Sequence, residues 1–533
     1  MTCNHLTRGA RPASLWHRFW CIACRRYRRA DKIVAFALAC RKAEGVPDGA
    51  IGRTLASLSL PYSIPRPRRE RWTRFGRGLR KPVGILAAGT ALLGYAWTRY
   101  IDIDPDMPIP ASTVSGPNAF TDFTHAAALL REDKRIGDML TQRKDRLDKA
   151  KKEHAAQEQN TPPPGMGGGM MGGGQVRATS NLKQLEHVFS KEERDDVVRI
   201  NGPALAALRN GFSKPCGAPA IRSFNAQGSY TSGYRALARL LILEAQTEVD
   251  RGDPGKGVEA ALDAVELGVK VQRNGRVVDK LAGTACESIG RSALWDMVDR
   301  LSASDALNAA LRLEKIESGR TSTADALTEE KWSMLAATME MMRKPGWRGT
   351  AFSTDGQSTN FPAYVMMLPY SKTRVVRLMS SHYDRLIAAA RGPYSRDDSS
   401  AAESDIPNVP LLQALLPEFG QLNFRDYLDS TENRLLATTL ALHAYKQEHG
   451  SYPPSLTWLV PKLVSRIPQD PFAPGAGLRY RMEGDKYVLW SVGPDGTDQV
   501  GTPTRNVNAT SEYSVNSVTP ESPGDIVAGV NRN

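Results

Sequence analysis

The sequence predicts a mainly α-helical protein with a single transmembrane helix, a helical-hairpin middle region and a small C-terminal α+β module. Three observations carry that prediction. An apolar run from Val83 to Ile101 follows a strongly basic leader. Apolar residues then recur at helical spacing through the middle of the chain. Near the C-terminal end the period drops to two, in Leu478-Arg-Tyr-Arg-Met and Tyr487-Val-Leu-Trp.

The charge distribution bears on the first of these. The formal net charge is +13, which by itself would suit nucleic acid. Yet residues 1–81 hold nineteen Lys and Arg against four Asp and Glu, and the rest of the chain is close to neutral. A basic block abutting an apolar segment is the positive-inside pattern rather than a nucleic-acid footprint. It predicts a crossing over 82–101 in a bacterial inner membrane, the N-terminus cytoplasmic and the bulk of the chain outside. The run is short, since about twenty apolar residues are preferred for a span. Snorkelling Lys81 and Arg99 and interfacial Trp97 and Tyr100 would recover the length. A leader of about eighty residues is too long for a secretory signal.

The predicted cytoplasmic head, residues 1–44, contains His17-Arg-Phe-Trp-Cys21-Ile-Ala-Cys24. His-x3-Cys sets two ligands one helical turn apart, and Cys-x2-Cys adds a second thiolate able to close on one tetrahedral zinc. Cys3, or else His5, would supply the fourth ligand. The stretch resembles the zinc-binding anti-sigma domain, although the interval from Cys3 to His17 is about half that family's. A basic juxtamembrane helix that packs Trp16, Phe19 and Trp20 accounts for the same residues. Haem attachment is excluded, because Arg25 stands where histidine is needed. Residues 45–81 read as a Pro/Arg-rich linker that lies on anionic headgroups.

Beyond the run, residues 102–160 predict a stiff Pro-rich exit linker and a solvent-exposed charged helix, and 161–175 a Gly/Met-rich linker. Residues 176–421 predict a helical region. Leu237, Leu240, Leu241 and Leu243 mark one helix, Val258, Ala261, Leu262 and Val265 the next, with Gly252-Asp-Pro254 between them. The pair is similar to a tetratricopeptide-type hairpin, although no further copies follow at that period. Cys216 and Cys286 are either a disulfide or two separate buried thiols. The region carries no His-Glu-x-x-His, Gly-x-Ser-x-Gly, phosphate loop or dinucleotide fingerprint, so no catalysis is expected. His382, His443, Glu329-Glu330 and Asp397-Asp398 read as packed or solvated residues.

Residues 422–501 predict a helix ended by Gly450-Ser-Tyr-Pro453, an Asp470-Pro-Phe turn and a hairpin closing on Ser491-Val-Gly-Pro-Asp495-Gly. This ordered set is similar to the C-terminal domain of the type II secretion major pseudopilins. The resemblance implies a calcium ion near the end, for which Asp495 and Asp498 would be ligands; a turn built on Pro494-Asp-Gly explains them equally. The stretch Asp426-Tyr-Leu-Asp-Ser-Thr-Glu-Asn lacks the apolar character of the pseudopilin helix, which points to a reused interaction domain. Residues 502–533 predict a disordered tail.

Together these features lead to an envelope binding or scaffold protein, related to secretion, with unidentified protein partners. A membrane-tethered regulator with a zinc-binding head is the first alternative, and a hydrolase with an unrecognised site the second. The oligomeric state has no sequence signature.

Overall fold

The computed structural model describes residues 88–94, 102–110, 116–141, 189–223, 230–350, 361–395, 406–416, 420–506 and 517–531. It is mostly helical, with one small three-stranded sheet. The chain divides after Leu86, and every described residue belongs to the second unit. His17, Cys21, Cys24, Cys3 and the basic linker lie outside the described residues, as does the Gly/Met-rich segment.

The expected membrane crossing is corrected. Among the described residues no helix is long and apolar enough to cross a membrane. Of the run Val83–Ile101, residues 88–94 are described, and these seven are helical. Gly94 lies beside protein, where an added Cβ would meet Leu368 Cδ2 at 3.6 Å, while Leu92 and Leu93 are exposed. The transmembrane fold class and the inner-membrane placement drawn from that run are set aside with it.

The exit linker is corrected too. Residues 102–110 form a strap on the folded unit. The Asp102 side chain is fully buried, ion-paired to Arg348 at 2.7 Å, and accepts the Lys372 backbone N–H at 2.7 Å. Met107 and Ile109 pack on a core cluster, and the Pro110 carbonyl accepts from Arg222. The charged helix begins as a core helix, α1 (Ala119–Leu129), with Phe123 and Ala126 buried. Its apolar stripe outweighs the acidic and basic residues that follow.

The helical region comprises α2 (Lys191–Ile200), α3 (Gly202–Phe212), α4 (Thr231–Asp250), α5 (Pro254–Val271), α6 (Val277–Trp295), α7 (Ala303–Ser318), α8 (Thr323–Arg343) and α9 (Lys372–Arg391). Their starts follow from capping chemistry. Asp253 accepts the Lys256 N–H ahead of Pro254. Ser302 caps α7, and Ser322 with Asp325 forms a capping box on α8. The α4–α5 pair turns at Gly252, whose φ of +91° requires glycine.

Small residues let α5 and α6 approach closely. A Cβ on Gly290 would lie 2.7 Å from both the Ala261 carbonyl and Val265 Cγ2, and one on Gly268 2.6 Å from Glu287 Cγ. Gly290→Ala is therefore expected to cost about 1–3 kcal/mol by overpacking, although alanine is the better helix former. Denaturant unfolding checks this; a gain in stability would refute it.

The long helix α10 (Gly420–His449) joins two core clusters. Leu422 belongs to the cluster of α8, α9 and the short helix Pro410–Leu415. Phe424 and the residues after it belong to the larger cluster of α1–α7 and the C-terminal module. There β1 (Arg479–Glu483) pairs with β2 (Lys486–Ser491), antiparallel, Arg479 opposite Trp490. Phe472 of the Asp-Pro-Phe turn sits among Tyr394, Phe424 and Tyr427, with ring centroids 4.9–6.3 Å apart.

The disordered tail is a third correction. β3 (Ile526–Val527) returns to extend the sheet in the order β1-β2-β3, with Trp490 opposite Val527. Ile526 and Asp525 are fully buried. Two apolar residues at the register that completes an edge outweigh the polar composition around them.

Candidate functional site

The stretch Asp426-Tyr-Leu-Asp-Ser-Thr-Glu-Asn is the most polar buried part of the protein. Its side chains face α6 and the α7–α8 turn, where they form one ionic network. Arg291 of α6, 1% exposed, reaches Glu432 at 2.5 Å, Asp429 at 2.8 Å and the Asn433 Oδ1 at 3.1 Å. Lys280, equally buried, donates to Asp426 at 2.8 Å and to the Thr321 carbonyl at 2.7 Å. Asp426 also accepts the Thr323 N–H at 3.0 Å and hydroxyl at 2.9 Å. Arg320 ties Asp426, Glu317 and Glu287 together. Asn433 bridges Glu287 and Glu317 at 3.1 and 3.0 Å.

Electrostatics follow from that geometry. Burial pushes the Glu287 carboxyl above its ordinary range, against the pull of Arg320. Burial works the same way on Asp426, but Lys280 and Arg320 overcome it and hold this carboxyl low. Burial opposes charge on Arg291, yet Glu432, Asp429 and Glu287 raise its pKa. The network is a structural clamp between α10 and the helical layer, in which Asp429 is held through one carboxylate oxygen while the other has no hydrogen bond among the described residues. Its signal in the sequence was the polar spacing 426, 429, 430, 433 on a helix whose neighbours Leu428, Leu435 and Leu436 are apolar.

Above the network the surface opens into three clefts around the end of α7. The largest, about 640 Å³, is walled by Ala218, Ala220, Arg222, Arg273, Gly319 and Trp332, among others. The second, about 370 Å³, shares Arg273 and Gly319 and adds Val269, Lys315 and Ile316. The third, about 410 Å³, shares Lys315 and Ser318 and runs between α7, α10 and the module, past Leu311, Ala437 and Arg466. Carboxylates in the first cleft are already engaged: Glu329 holds Arg222 at 2.5 Å, and Asp325 caps α8. Among the described residues, the side chains of Arg273, Lys315 and Arg466 have no hydrogen-bond or ion-pair partner.

The residues singled out by sequence fall elsewhere. Asp495 accepts from Thr497 N at 2.9 Å, Gln499 Nε2 at 2.8 Å and Gly524 N at 3.2 Å. Asp498 accepts from Trp490 Nε1 at 3.0 Å and faces Arg479 at 3.4 Å. Among the described residues no group of three or more His, Cys, Asp or Glu side chains could hold a metal ion. Beside the hairpin Asp470 is buried, and it accepts from the Ser491 hydroxyl at 2.6 Å and the Val492 and Phe472 N–H groups at 3.0 Å. His443 meets the Leu301 carbonyl at 3.1 Å, and Glu330 accepts the Val277 N–H. His382 is buried against Tyr383, while Asp397 and Asp398 lie outside the described residues.

Of the two alternatives for Cys216 and Cys286, the structure holds free buried thiols. Burial pushes both pKa values up to about 12. Neither should react with a maleimide at neutral pH until the protein unfolds. Peptide mapping of native and denatured protein checks this, and fast native labelling at either position would contradict it.

No family model matches the chain, and neither the curated proteins nor the solved structures searched contain a match.

Proposed function

We propose that this chain is a binding or scaffold protein that holds a partner in the clefts around the end of α7. The observation that carries the reading is the division of its polar groups. Most interior acids and bases face one another across α6, α10 and the α7–α8 turn, whereas among the described residues Arg273, Lys315 and Arg466 stand in cleft walls without partners. An active site needs a titratable group poised toward substrate; the cleft carboxylates are engaged by protein, Asp325 in a cap, Glu329 by Arg222, Glu266 by Arg312, Glu314 by the Ser465 hydroxyl and Glu317 by Arg320. The likeness of residues 422–501 to the major pseudopilin domain supports a secretion-related assembly, in which the module is a folded docking part.

The test is photocrosslinking in the full chain. A photoreactive residue at Ala220 or Thr328, both in the first cleft, should capture a discrete partner. The same group at the exposed Lys256 should not. Capture at Lys256 with none at either cleft position would refute the reading.

A further inference from the structure

The ligand chemistry of these clefts can be argued further, on the reading of them as a binding site. Arg273 lines the first and second clefts, Lys315 the second and third, and Arg466 the third. The three cations therefore do not gather around one point, as they would to hold a single phosphate. They are spread along successive walls around residues 315–320. Apolar side chains line the walls between them: half-buried Trp332 and Ala220 in the first cleft, the edges of the buried Val269 and Ile316 in the second, and Leu311 in the third. Leu311 is 43% exposed along the third cleft. A ligand that satisfies all three cations and covers these patches must be extended, anionic at intervals and apolar between.

We propose that the clefts bind an acidic polypeptide segment in extended form, with carboxylates on Arg273, Lys315 and Arg466 and apolar side chains between them. All three cations are solvent-exposed, so their replacement leaves the core untouched.

The test uses the full chain and a fluorescein-labelled peptide of alternating Glu and Leu, followed by anisotropy, with Lys/Leu and Ser/Leu peptides as comparisons. The acidic peptide is expected to bind best and to weaken as salt rises. The combined Arg273→Glu, Lys315→Glu and Arg466→Glu variant should lose about tenfold in affinity, the sum expected of three exposed charge pairs. Lys256→Glu should change nothing, and an unaltered unfolding midpoint establishes that each variant is folded. Equal binding of acidic and basic peptides, or no effect of the triple reversal, would overturn the proposal. Complete displacement by inorganic phosphate would overturn the extended ligand. Should the Ser/Leu peptide bind equally to wild type and triple variant but not to Ala220→Trp, the acidic preference fails and the binding cleft stands. No peptide binding, with no crosslinks from Ala220 or Thr328, removes both.

Discussion

Arg291→Leu should destabilise the fold by about 3–5 kcal/mol, because it removes the guanidinium that balances the buried carboxylates of Asp429 and Glu432. That is a large part of the ~5–15 kcal/mol typical of a domain. The loss comes from stranded charge more than from lost attraction, so neutralising the partners should recover much of it. Arg291→Leu combined with Asp429→Asn and Glu432→Gln is expected to be more stable than the single variant. Arg291→Lys should rescue only in part, since one ammonium cannot reproduce the fork that meets Glu432, Asp429 and Asn433. Denaturant midpoints for the four proteins decide it. A loss under about 1 kcal/mol for Arg291→Leu would mean that the guanidinium does not balance these carboxylates as described.

Asp102→Ala is the second large effect. Arg348 is 3% exposed and, once its carboxylate partner is gone, is left with neutral partners, the Met367 and Tyr370 carbonyls and the Trp347 ring. An uncompensated buried guanidinium costs about 3–5 kcal/mol, and α9 loses the acceptor for its Lys372 N–H. The strap should then lift, carrying Met107 and Ile109 out of their cluster. Hydrogen exchange across residues 103–110 and the first turn of α9 should accelerate together. Asp102→Asn, which can still accept from Lys372, should lose less. Exchange that stays unchanged in the strap while global stability falls would show that the strap is held by its apolar contacts alone.

These two residues also show what sequence reading could and could not reach. Asp102 follows an apolar run and opens a Pro-rich segment, a context that reads as a linker. Only its distant partners, Arg348 and Lys372, make it a clamp. Arg291 lies in a helix whose period is plain, but its burial depends on α10, far away in the chain. The acids of α10 set this stretch apart from the apolar pseudopilin helix and read as the mark of a reused interaction domain; in the fold they answer Arg291, Lys280 and Arg320. The clefts were illegible for the same reason, since their walls come from the α5–α6 turn, α7, α8, α10 and the module.

Local chemistry was readable where it acts locally. Capping serines at 302 and 322, Asp253-Pro254, Gly252 and Gly450 set helix ends through their own backbone preferences. Alternation at 478–482 and 487–490 set the hairpin, and the apolar period set α4 and α5. The sequence by itself determined that this chain is mostly helical with a small C-terminal sheet. Tertiary structure decided the rest: that residues 102–110 are a strap, that Ile526 and Val527 complete the sheet, and that a charged stretch is interior. Each of those outcomes depends on a partner distant in sequence, whose electrostatic or apolar complement no local pattern contains.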